Sequence, residues 1–173
     1  MIKKITLLTI VLTISTSVCA TKPVEIKFVA RTQDQMQSFY EARGFPEEML
    51  NVIQKHCLIT TIIQNISDDI VWLEMKNWQF SINGEPIIRK SRADWKQFWA
   101  QMSIPLPNQA TFHWTQIPDE LDYLPGEREG GNITLPRTDQ PITIRASFAT
   151  GRDKKGPIYN VEFNDVRCAQ DRP

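Results

Sequence analysis

Histidine is scarce in this sequence, and one of its two copies directly precedes a cysteine: His56-Cys57, within NVIQKHCLITTIIQN. Such a pair suits three chemistries. It can ligate a soft or borderline metal, form an imidazole–thiolate dyad, or leave the imidazole beside a structural disulfide. The other histidine, His113, stands between Phe112 and Trp114. With Met102, these two are the metal-ligand candidates, and a copper carrier built on Met and His is the alternative they define. The spacing lacks Met-x-Met and His-x-His, so no metal and no cofactor is expected. Nucleophilic catalysis is equally unsupported. There is no Gly-x-Ser-x-Gly elbow and no Ser-x-x-Lys, and Cys57 would have to escape oxidation. The chain reads as a non-enzyme.

Two surfaces are candidates for partner binding. Arg92, Trp95 and Trp99 lie close together in SRADWKQFWAQM, and Trp and Arg are the side chains that anchor contacts. The polar stretch from 118 to 131 carries Glu127 and Glu129 and reads as a long loop. A secreted protease inhibitor presenting that loop is a second alternative.

The compartment follows from the first residues, MIKKITLLTIVLTISTSVCA. Lys3 and Lys4 lead an apolar run, and Val18 and Ala20 fit a small-residue cleavage site, the pattern of a secretory signal peptide over 1–20. The remainder, 21–173, is one domain of ordinary length and contains no further stretch long enough to span a bilayer. Losing two lysines leaves 18 basic against 20 acidic residues, a net charge of −2. That balance offers no footprint for nucleic acid. The expected location is periplasmic or secreted, and the expected partner is another envelope protein or a peptide. Cleavage also removes Cys19, so Cys57 and Cys168 remain, and two thiols in an oxidising compartment pair.

The elements that must position these residues read as follows. VEIKFVA alternates as a strand. Residues 31–56 form an inserted helical pair: Thr32 and Gln35 make a capping box, Gly44 stops the first helix, and Pro46 opens the second. CLITTIIQN is a core strand, Asn83-Gly84 a hairpin turn, and Pro86 marks an edge strand. Ser91 and Asp94 cap one further short helix carrying Trp95, Phe98, Trp99 and Met102. ATFHWTQI alternates and reads as a strand with His113 toward solvent; ITLP, PITIRASFAT and PIYNVEFNDVRC are further strands.

The run TQIPDELDYLPGEREGGNITLP, followed by PITIRASF, resembles the late strands of bacterial extracellular immunoglobulin-like domains. The resemblance implies a mainly β fold, an antiparallel immunoglobulin-like sandwich of about seven to eight strands, here with the helical insertion. It carries no catalytic motif and brings no functional residues.

One consequence is directly measurable. The exported chain should begin at residue 21 and weigh less than its reduced form by the two thiol hydrogens of Cys57 and Cys168. A free Cys57 in protein taken from an oxidising compartment would refute both the pairing and the compartment.

Overall fold

The computed structural model describes residues 22–170. The leader expected over 1–20 lies outside the described residues. Burial is organised by one strand, β2 (His56–Asn65). It pairs antiparallel with β1 (Val24–Arg31), placing Arg31 opposite Leu58. On its other side it pairs antiparallel with β7 (Arg128–Pro136), placing Cys57 opposite Leu135. These three strands make one sheet.

The second sheet has six strands: β3 (Val71–Glu74), β4 (Gln79–Ile82), β5 (Glu85–Ile87), β6 (Glu120–Tyr123), β8 (Ile142–Thr150) and β9 (Tyr159–Val166). β8 is its spine. β9 lines one side of β8, while β4 and β3 lie end to end along the other. β5 and β6 then extend β4 and β3, and every pairing is antiparallel. The inner faces of the two sheets meet in one core that includes Ile59, Ile63, Ile133, Leu73, Ile144 and Phe148. The ring of Phe28 on β1 meets Phe163 on β9 edge-on at 4.9 Å.

Four helices form a third layer on the outer face of the three-stranded sheet: α1 (Gln33–Glu41), α2 (Glu47–Gln54), α3 (Arg92–Gln101) and α4 (Leu106–Thr115). Alternation along β2 makes this possible. Cys57, Ile59 and Ile63 face the sandwich, whereas Leu58 is buried among Tyr40, Ile53, Trp95 and Phe112 of the helical layer. Local chemistry fixes the helix starts. Thr32 Oγ1 accepts from the Gln35 amide at 3.1 Å, and the Gln35 side chain accepts from the Thr32 amide at 3.2 Å. Ser91 and Asp94 repeat the box on α3.

Two stretches depart from the sequence expectation. ATFHWTQI is not a strand: residues 106–115 are helical, so His113 sits on α4. Pro107 belongs to the first turn of this helix, where its fixed φ and missing N–H are tolerated. The alternation of Phe112 and Trp114 therefore marks opposite sides of a helix. Nor is 118–131 a long loop. It contains β6, a turn over Leu124–Glu127 with Gly126 at φ 81°, and the start of β7. The described residues thus hold nine strands and four helices. No helix among them is long and apolar enough to cross a membrane.

Gly130-Gly131 is a packing requirement. A Cβ on Gly131 would meet Ile117 N at 2.4 Å, where the chain leaves α4 and crosses the edge of β7. The Ile117 amide donates to the Asn132 carbonyl there, at 3.1 Å. Asn65 and Asn132 are both engaged as well. Buried Asn65 donates to the Asp69 and Tyr123 carbonyls at 2.7 and 2.9 Å, and Asn132 accepts from Thr60 Oγ1 at 2.9 Å.

Cys57 and Cys168 form a disulfide with Cα atoms 5.4 Å apart, closing a separation of 111 residues. It ties the segment after β9 to the central strand of the opposite sheet. Cys57→Ser with Cys168→Ser should lower unfolding stability by about 2–5 kcal/mol in denaturant titration. Gly131→Ala should cost about 1–3 kcal/mol, because backbone must move to admit the methyl. An unchanged midpoint for Gly131→Ala would show that the crossing is looser than described.

Candidate functional site

Trp95 and Trp99 do not form an exposed aromatic–basic face. Both are buried, stacked on each other at 4.9 Å with Phe112 edge-on to both. The reason is layer geometry: the i, i+4 face of α3 is the one turned onto Leu58 and α4. Arg92 comes from the same helix but lies at the surface margin. Its Nε donates to the Gln116 carbonyl at 3.2 Å, and its guanidinium sits 5.7 Å from the Trp114 ring. Burial lowers the Arg92 pKa, while the charges of Asp119 and Glu129 oppose that. Arg92 and Glu129, two of the sequence candidates, are therefore within electrostatic reach. Glu127 is not part of that group: its carboxylate accepts from the Leu124 amide at 2.8 Å and closes the turn.

The metal candidates are dispersed in role. His56 Nδ1–H donates to the Val52 carbonyl at 2.9 Å, and the ring meets Trp95 edge-on at 5.0 Å. His113 lies against Trp114 at 5.4 Å. Met102 caps the end of α3 and packs on the helical core. Among the described residues no group of three or more His, Cys, Asp or Glu is placed to hold a metal ion.

The residue that sequence reading missed is Trp114, 75% exposed at the end of α4. Leu106, Ala110 and Trp114 recur at i, i+4, i+8 on this helix, a stripe turned away from buried Phe112. Assigning that stretch to a strand hid the stripe.

Trp114 is a shared wall of two concavities. The larger, 880 Å³, lies where the helical layer stops short on the outer face of the three-stranded sheet. Met36, Phe39 and Trp114 supply its apolar sides, and Thr60, Asn132 and Gly130 its floor. Side chains stitch that floor across all three strands: Arg31 Nε donates to Thr60 Oγ1 at 3.0 Å, and Thr60 in turn donates to Asn132. Behind it, the buried Tyr40 hydroxyl donates to Thr115 Oγ1 at 2.7 Å, which donates to the Phe112 carbonyl. Thr134 Oγ1 reaches Gln116 Oε1 at 2.7 Å. Burial pushes the Tyr40 pKa up to about 12, so the hydroxyl stays protonated. It acts as a rigid strut between α1 and α4.

The smaller concavity is a slot of 330 Å³ between α3 and α4. Trp95, Trp99 and Phe112 line it from within, and Leu106 and Trp114 flank it at the surface. Arg92, Lys96 and His113 also line it. The indole N–H groups of Trp95 and Trp99 are buried without a hydrogen-bond partner.

No protein-family model matches the sequence, and no curated protein matches it either. Among solved structures, a candidate lipoprotein of Bacillus subtilis is similar at 7% identity and a TM-score of 0.40. The match covers 64% of this chain and 30% of that one, so the chain spans under a third of that protein's length. A likeness of this size carries no argument about activity.

Burial, chiefly, holds both histidines below the usual imidazole range, with Lys90 adding to the effect on His56 and Arg92 to that on His113. The folded chain therefore takes up these protons later than the unfolded chain does. Stability should be flat above the ordinary value of about 6.5 and fall as pH drops through it. His56→Gln and His113→Gln should each remove part of that decline in chemical denaturation between neutral and mildly acidic pH. A wild-type midpoint that rises on acidification would contradict the downward shift of both imidazoles.

Proposed function

We propose that the protein is an exported, non-catalytic binding module of the cell envelope, periplasmic or secreted, that engages a protein or peptide partner. The observation that carries this reading is Trp114. A large indole stands in solvent at the junction of two apolar concavities, on a scaffold of packed sheets and capped helices. Aromatic anchors beside a polar, hydrogen-bonded floor are the composition of binding sites. The lysine-led leader and the Cys57–Cys168 disulfide support the compartment. Two antiparallel sheets packed face to face support the immunoglobulin-like kinship, to which the helical layer is an addition.

Photo-crosslinking separates this surface from the rest. A photoreactive residue in place of Trp114 or Phe39 should yield an adduct when the chain is expressed and exported in its host. The same residue at Asn160 or Glu162, on the far edge strand β9, should yield none. Adducts only from β9, or from no position, would overturn the proposal.

A further inference from the structure

The slot between α3 and α4 has a chemistry of its own. Its interior is aromatic, walled by Trp95, Trp99 and Phe112. Its surface flank is lined by Arg92, Lys96 and His113, with the charges of Asp119 and Glu129 within reach of Arg92. Among the described residues no carboxylate is in ion-pair contact with the Arg92 or Lys96 side chain. Arg92 is held by the neutral Gln116 carbonyl. The nearby Asp119 is taken by Arg89 and by the Arg92 backbone amide. After burial, the charges of Arg92 and Lys96 are among the causes that lower the His113 pKa, so both act on the same flank.

An apolar interior beside two cations that make no ion-pair contact fits one arrangement: an apolar group with a carboxylate next to it. The larger groove extends from the other side of Trp114, so chain attached to that group has a path over Thr60 and Asn132. We propose that the slot captures the C-terminal residue of a peptide, burying an apolar side chain against Trp95, Trp99 and Phe112 and setting its α-carboxylate at Arg92 and Lys96. The peptide then continues past Trp114 into the larger groove. Terminal-carboxylate capture is an established mode of peptide recognition. The inference rests on the binding-module reading and names the class of ligand within it.

The test uses the exported chain and fluorescein-labelled Gly-Ser-Gly-Ser-Leu and Gly-Ser-Gly-Ser-Phe, each as free acid and as C-terminal amide. Anisotropy should rise with the free acids and affinity should weaken about tenfold or more on amidation, the effect of deleting one partner of a charge pair. Lys96→Gln should cause a comparable loss for the acids and none for the amides. Lys96 is exposed, so this variant stays informative even where Arg92→Gln unfolds. Equal binding of acid and amide overturns the inference. So does N-acetyl-leucine competing as well as the pentapeptide, since the slot then takes a small acid and not a chain end. No peptide binding, with crosslinks retained at Trp114, overturns this inference alone; loss of the crosslinks removes the binding-module reading with it.

Discussion

Strand β2 is buried along its sandwich face and, at Leu58, on its outer face as well, and the arrangement depends on it. One register of ten residues sends Cys57, Ile59 and Ile63 into the sandwich and Leu58 into the helical layer. A slip of one residue would exchange the two sets and leave both cores unfilled. The disulfide acts at the same strand. It joins Cys57 to the segment that follows β9, so the two sheets are crosslinked as well as packed. Everything at the candidate site hangs from this strand: Thr60 floors the groove two residues beyond Leu58, where the helices no longer cover the sheet.

The helical layer explains why one tryptophan is presented and others are hidden. On α3 the aromatic face and the core-facing face coincide, so Trp95 and Trp99 stack inside while Arg92 and Lys96 stay at the margin. On α4, Phe112 is the residue turned inward, and Trp114, two positions later, is rotated nearly to the opposite side. Its indole is then bracketed by the Arg92 guanidinium and His113. The Tyr40–Thr115 contact holds α4 at this rotation, and Gly131 lets the chain leave α4 close against β7.

Much of the fold is legible in short segments. Thr32 with Gln35 and Ser91 with Asp94 state their helix starts through chemistry contained within four residues. Asn83-Gly84 adopts the positive φ pair of a tight hairpin, 50° and 86°, and Pro86 lies on the edge strand β5 as its missing donor requires. What misleads is a segment whose pattern serves two geometries. Phe112-His113-Trp114 alternates like a strand, yet helix α4 also separates Phe112 from Trp114 by most of half a turn. ELDY is too short and too charged to announce β6; it is a strand because β3 lies beside it. The candidate site suffered the same fate, since Trp114 and Arg31 are far apart in sequence and meet only in the groove.

The sequence by itself determined the caps, the hairpin, the inserted helical pair, the long core strand and the pairing of Cys57 with Cys168. Each rests on interactions within a few residues, or on there being a single pairing open to two thiols. Only the tertiary structure decided which aromatic reaches solvent, which cations remain without an ion-pair contact, and where the helical layer ends on the sheet. Those are differences between faces of packed elements. A face is defined by what lies against it, and nothing in the local chain encodes its neighbour.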